Sequence, residues 1–212
     1  MIVTADDFGY APAYDEGIAQ AARMGAIDGV SAMVLRYAPD PEPLAGTGVA
    51  VGLHLELDRA GLAEQVQRFE AAFGRGPDYL DGHHHCHAAG PPAVEVADYA
   101  SERDLPVRSV DARHRRLLRC RGVTTADRLV GRYSEDEPVL PSEIGTLLRG
   151  EGTSGEEGEV WEWMVHPGRP VGDGSSDYDA GREEDLRLLL ELAAEPGFRE
   201  LRVSWSGLGA GP

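Results

Sequence analysis

Two cysteines in 212 residues, Cys86 and Cys120, cannot build a disulfide framework, and neither belongs to a Cys-x-x-Cys pair. A reducing compartment follows from that. No basic, apolar leader precedes the first strand-like residues, MIVTADDFGY, and no apolar run reaches the length of a membrane span. The expectation is a cytoplasmic protein with no membrane partner. Positive charge is also scarce: 20 Lys and Arg stand against 37 Asp and Glu, a net charge of −17. Nucleic acids and anionic membranes need a basic surface that displaces counterions, so neither is expected as a partner. A neutral or cationic small substrate fits better. Internal repeats and linker-like stretches are missing too. One domain over residues 1–212 is expected, long enough to bury a core without disulfides.

What the chain does have is an alternation of short apolar runs and helical stretches. The strand-like runs are IVTAD, GVSAMVL, VAVGLHLEL, YLDGHHHCH, LPVRSV, VWEWMVHPG and LRVSWSG. Helical periodicity covers residues 16–24, 62–73, 94–103 and 183–194. Residues 113–158 are less periodic and read as loop and helix, with 151–158 mobile. The expected fold class is α/β with about seven parallel strands, in a barrel or a doubly wound sheet.

In parallel α/β folds reactive groups gather at the C-terminal ends of the strands. Four of these runs end in ligand-type residues. The first stops at Asp6-Asp7-Phe8-Gly9. Adjacent residues of an extended strand point to opposite faces, so both carboxylates reach one site only if the chain bends there. Gly9 makes such a bend cheap. The plainer alternative is a helix-capping acid beside a solvated one. In VAVGLHLEL, Val49, Val51, Leu53, Leu55 and Leu57 share one face, while Ala50, Gly52, His54 and Glu56 share the other. That pattern suits a barrel interior with His54 near its mouth. A lone strand histidine is more often structural than a ligand, but Glu56 above it on the polar face favours function.

The densest stretch is DGHHHCH, residues 81–87. It lies deep inside the chain between apolar runs and so is no purification tag. As an extended strand it sets Asp81, His83, His85 and His87 on one face, with Gly82, His84 and Cys86 on the other. At most two of the same-face histidines then reach one ion, and Asp81 can orient a neighbouring ring. The alternative is an adventitious chelator. Finally, VWEWMVHPG sets Glu162, Met164 and His166 opposite Trp161, Trp163 and Val165, with His166 just before Pro167-Gly168. Read alone, His166 is a solvent-exposed histidine at a strand end. Acids and histidines at four strand ends together match the needs of hydrolytic metal chemistry, three protein ligands and an open water position.

TADDFG, VGLHLEL, YLDGHHHCH and VWEWMVHPG, in that order, resemble the motifs of the YdjC-like carbohydrate deacetylases. That family includes chitooligosaccharide deacetylases and a hopanoid-associated branch. The resemblance extends to residues 105–108, an apolar pair ending in Arg108, and to 178–192, similar to the family's Y…R…E…L helix. It implies a distorted (β/α) barrel-like fold with a divalent metal, Mg or Zn, at its mouth. Carried over position by position, it implies Asp7, His54 and His83 as metal ligands, Asp6 as general base and His166 as general acid. Asp81, His85, His87 and Arg108 would support the ligands or face the substrate. The implied reaction is hydrolysis of the N-acetyl group of a small N-acetylated amino sugar by metal-activated water. Two departures stand out. Only 29 positions separate His54 from His83, where the family carries a long lid-like insertion. The cleft is then either more open or completed by a second subunit of a homo-oligomer. Gly82 follows Asp81 where the family has serine, which removes a hydroxyl.

Two other readings stay open. One is a metal-dependent hydrolase of another amide or a phosphoester, for which the basic run 113–121 offers an anion contact. The other is a non-catalytic metal-binding protein built on the histidine run. Asp6 separates them, since a storage site has no use for a free carboxylate beside the metal's water.

Overall fold

In the computed structural model, which describes residues 1–150, 158–172, 176 and 178–208, the first apolar run forms a fully buried strand, β1 (Ile2–Phe8). In chain order follow α1 (Pro12–Arg23), β2 (Gly29–Ala32), β3 (Ala50–Leu55), α2 (Leu62–Phe73), β4 (Leu80–Gly82) and α3 (Gly90–Ser101). Then come α4 (Ala112–Cys120), β5 (Arg128–Gly131), α5 (Ser142–Leu148), β6 (Trp161–Val165), α6 (Gly181–Ala193) and α7 (Pro196–Glu200). Every strand pair is parallel, in the order β4-β3-β2-β1-β6-β5, and the six strands curl into a half-barrel.

The two-residue period of the strands sorts their side chains. Val3, Ala5, Val30, Ala32, Val51, Leu53, Leu55, Trp163 and Val165 join the main core with the helices. Burial of one such aliphatic side chain contributes roughly 1.5–3 kcal/mol. The alternate residues Thr4, Asp6, Ser31, His54, Asp81 and Glu162 are buried on the inner face. Beneath them Ile2, Tyr79 and Trp205 form a second, smaller apolar cluster.

Among the described residues the sheet has six strands rather than about seven. LPVRSV contributes a single bridge, Val107 to Leu80. LRVSWSG forms no strand: the Val203 N–H donates to the Met1 carbonyl, and a short turn at Trp205–Gly207 inserts Trp205 into the lower cluster. The sixth strand, β5, comes from the segment read as loop and helix, which also supplies α4 and α5. The segment expected to be mobile, 151–158, lies outside the described residues except for Gly158. Helix α2 has the expected bounds, whereas α1, α3 and α6 begin two to four residues earlier. In α1 and α3 the reason is a proline in the first turn, Pro12 and Pro91, where the missing N–H is harmless. Among the described residues no helix is long and apolar enough to cross a membrane.

Candidate metal centre

Along β1, Ala5 pairs with Val30 but Phe8 pairs with Ala32, so three steps on one strand answer two on the other. This bulge re-aims the side chains beside it. Asp7 adopts a left-handed conformation (φ 73) and Gly9 follows at φ 89. The bend that brings both acids to one site therefore sits at Asp7 itself, and Gly9 completes the turn. A side chain at Gly9 would lie 2.3 Å from the Met33 carbonyl oxygen. The Gly9 N–H donates to Asp15 Oδ1 at 2.7 Å, and the Tyr37 hydroxyl also donates to Asp15.

Left-handed backbone at a residue with a side chain costs on the order of 1–3 kcal/mol and persists only where its surroundings hold it. The Asp7 carboxylate supplies one such hold, since Oδ2 accepts from Arg182 Nη2 at 2.6 Å. Arg182 is itself packed over the Tyr14 ring at 3.7 Å. Asp7 Oδ1 is buried, lacks a well-formed hydrogen bond, and faces His83 Nδ1 at 3.1 Å and His54 Nε2 at 3.5 Å. One ligand atom each from Asp7, His54 and His83 lies within 4.8 Å of the others. Burial alone would raise the Asp7 carboxyl, but the two imidazoles and Arg182 hold it well below the ordinary range.

His54 reaches this point from the inner face of β3. Its Nδ1 meets Asp81 Oδ1 at 2.8 Å, which leaves Nε2 for the site. Burial opposes a charged imidazole, yet Asp81, Asp6 and Asp7 raise the His54 pKa well above its usual value. Asp6 is held from behind by a guanidinium fork: Arg108 Nη1 and Nη2 donate to its two oxygens, each at 2.7 Å. The same arginine reaches Asp81 Oδ2 at 3.0 Å and Glu162 Oε1 at 2.7 Å. One buried cation thus sits among three buried carboxylates. Burial pushes Glu162 up to about 7 against the pull of Arg108.

The histidine run does not continue β4. The strand ends at Gly82, and a tight turn follows in which His84 (φ 49) and His85 (φ 58) are left-handed. The expected alternation of faces is therefore wrong beyond Gly82. His83, His84 and His85 all line the cleft, while His87 is buried away from it with Nε2 donating to the Arg108 carbonyl at 3.0 Å. Burial takes His87 down to about 3 and His85 down to about 4. The turn also explains the departure at Gly82: a side chain there would meet Cys86 Sγ and His87 Nδ1 at 2.9 Å.

His166 follows β6 and lines the same cleft, a cavity of about 430 Å³. Its backbone N–H donates to Asp185 Oδ2 at 2.9 Å, and its ring lies 5.1 Å from that of Tyr178. Burial lowers its pKa despite the nearby Asp7 and Asp6. Sequence reasoning gave no role to Tyr10, Arg132, Tyr133, Tyr178 or Arg182, all of which line the cleft. Arg132 and Tyr133 directly follow β5 and were overlooked with it. Tyr178 and Arg182 fall in the matched segment 178–192, which was the available signal. The basic run forms α4; none of its residues lines the cleft, and Arg119 and Arg121 pair with Asp127 and Asp98.

A family model described as YdjC-like protein matches residues 1–64 and 58–197. The chitooligosaccharide deacetylase of Escherichia fergusonii is 30% identical over 146 residues, covering 51% of this chain and 58% of that protein. That of Proteus mirabilis is 28% identical over 207 residues, covering 79% and 80%. The carbohydrate deacetylase of Enterococcus faecalis is 26% identical over 248 residues, covering 94% and 93%. The chain thus spans little more than half the length of the first relative and most of the other two. A crystal structure from Enterococcus faecalis, of a protein provisionally assigned to cellobiose-phosphate cleavage, superposes with a TM-score of 0.75 over 97% of both chains. At 22% identity that likeness concerns the fold alone.

Proposed function

Because the chain belongs to the YdjC-like family, we propose that it is a carbohydrate deacetylase that removes the N-acetyl group from a small N-acetylated amino sugar. In this reading a divalent metal is held by Asp7, His54 and His83, and residues 1–212 act as one domain. The observation that carries it is Asp7 Oδ1, a buried carboxylate oxygen without a hydrogen-bond partner that faces two imidazole nitrogens. Arg182 already pairs with Oδ2, so it is the desolvation of Oδ1, buried without a partner, that a metal ion would offset. Two imidazoles and one carboxylate suit zinc better than magnesium, which prefers oxygen ligands. The names of the relatives, chitooligosaccharide or carbohydrate deacetylase, support the substrate class. A core that runs without a break from Val3 to Phe198 supports the single domain.

When bound, the metal would polarise the acetyl carbonyl and lower the pKa of water. The chain's own residues do the rest. Asp81 turns His54, and Arg182 holds the second oxygen of Asp7. Asp6 takes the proton of the attacking water; the Arg108 fork fixes the carboxylate plane and still leaves each oxygen a lone pair. His166 gives a proton to the nitrogen as the C–N bond breaks, so acetate and a neutral amine leave. Burial favours the neutral His166 ring, so the proton it donates is one the reaction itself releases from water through Asp6. Tyr133, exposed at the rim of the cleft, offers a ring face against which a sugar can pack.

The test is acetate release from N-acetylglucosamine and its dimer, with and without added Zn or Mg. Asp7→Asn and His83→Ala should each abolish metal-dependent turnover, and Asp6→Asn should cost on the order of 10²–10⁴ in rate. Near-normal activity in either ligand variant would sink the ligand assignment. No acetate from any sugar in the presence of metal would favour a different amide or a phosphoester.

A further inference from the structure

Below the candidate ligands, two buried hydroxyls have only one consistent arrangement of their protons. Ser31 Oγ, on the inner face of β2, donates to Asp81 Oδ2 at 2.6 Å and lies 2.9 Å from the Tyr79 hydroxyl. A serine has one proton, and an ionised carboxylate only accepts. The serine proton therefore goes to Asp81, and Tyr79 donates to Ser31. Ser31, Tyr79 and Asp81 are all fully buried, so no water competes for these bonds. On its other oxygen Asp81 accepts from His54 Nδ1 at 2.8 Å, so in the neutral ring that a metal binds the lone pair falls on Nε2.

The tyrosine is itself clamped. Its ring stacks on Trp205 with centroids 4.1 Å apart and planes 8° apart. Trp205 in turn donates from Nε1 to Thr4 Oγ1 at 3.3 Å. The pair fits because the inner face is bare at two places. A Cβ at Gly52 would lie 2.4 Å from the Tyr79 ring, and one at Gly29 would lie 2.7 Å from Trp205 Nε1 and 3.0 Å from the Tyr79 hydroxyl. Two buried hydroxyls could satisfy each other anywhere in a core. Here the serine proton is instead aimed at the carboxylate that orients a candidate metal ligand.

We propose that Ser31 and Tyr79 are positioning residues of the metal centre. By donating in series they fix Asp81 together with Arg108, whose Nη1 lies 3.0 Å from the same Oδ2, and Asp81 holds His54 with Nε2 directed towards Asp7 and His83. This rests on the metal reading given above. Trp205 and the two glycines set where the Tyr79 ring stands but do not take part in the series.

The experiment is Zn(II) titration of the full chain against a chromophoric chelator, with thermal unfolding in metal-free buffer measured alongside. The tight site is identified as the one lost in Asp7→Asn, which separates it from binding by the exposed histidines. Ser31→Ala should weaken zinc about tenfold, at the low end of the effect of losing a group that supports a ligand. Tyr79→Phe keeps the ring and its stack, and should weaken zinc by a smaller factor. Phe69→Leu, in the main core with the helices, should lower the unfolding temperature while leaving zinc affinity within about twofold. If Ser31→Ala does not fold, Tyr79→Phe carries the test. Wild-type affinity in both hydroxyl variants would overturn the proposal, as would a loss in Phe69→Leu equal to that in Tyr79→Phe, because packing alone would then account for the effect. A wild-type chain with no tight zinc site would sink the metal reading itself, and this proposal with it.

Discussion

His54 carries a conflict that metal binding has to resolve. Asp81, Asp6 and Asp7 hold its pKa well above the usual value even though burial opposes the charge. A metal binds only the neutral ring, so a proton must leave when the ion enters. Zinc affinity should therefore rise with pH through the neutral range, by about tenfold per unit while one proton is displaced. Calorimetry in two buffers of different ionisation enthalpy should find about one proton released per zinc. Affinity that stays constant between pH 6 and 8 would contradict this account of His54. At this scale much of the site was legible: Asp6, Asp7, His54, His83 and His166 stand out as polar residues at the ends of apolar runs. His85 was reached only through the resemblance, and His84 was assigned to the opposite face. Their left-handed backbone has only a weak local signal: histidine is enriched there among residues with side chains, but the strand-like run before it favours an extended reading.

The element that places Asp7 is the bulged end of β1 together with Gly9. Gly9→Ala would force a Cβ against the Met33 carbonyl at a backbone φ of 89. The expected loss of stability is more than about 1 kcal/mol, read from urea unfolding, since alanine is strained at positive φ. Zinc affinity should fall as well in the fraction that remains folded, because the bulge turns Asp7 into the site. Full zinc affinity in a destabilised Gly9→Ala would mean that Asp7 is placed by Arg182 alone. Strands such as β3 could be read from their alternation of large and small residues. Strand β5 could not, since RLVG is short, lies at the sheet edge and exposes Arg128. LRVSWSG alternates as well as a real strand does. It fails as one because Trp205 fills the space left by Gly29 and stacks on Tyr79, which fills the space at Gly52, a fit that no local window contains.

Across the whole molecule, the alternation of strands and helices implied a parallel sheet but did not distinguish a barrel from a doubly wound arrangement. That choice rests on which strands flank β1, a non-local matter, and the answer is β2 and β6. Stability against acid is set at the same scale. Folded His87 stays neutral down to about 3 and His85 down to about 4, both because of burial, whereas an unfolded histidine titrates near 6.5. Between those limits the unfolded chain binds more protons, so stability falls as the pH drops below 6.5. Glu162 works the other way: at about 7 when folded against 4.5 in the open chain, it adds stability as the pH falls from 7 towards 4.5. Asp15, which burial raises to about 6, works as Glu162 does, so these four groups nearly offset one another and the share of His87 has to be isolated by substitution. From pH 7 to pH 5 His87 alone accounts for about 2 kcal/mol, or roughly 4–8 °C in Tm for a chain of this size. His87→Gln keeps an N–H donor for the Arg108 carbonyl and removes the titration. In metal-free buffer its Tm at pH 5, taken relative to its Tm at pH 7, should exceed the same difference in the wild type by this amount, whatever its stability at pH 7. If the two proteins shift by the same number of degrees, His87 is not the neutral buried group described.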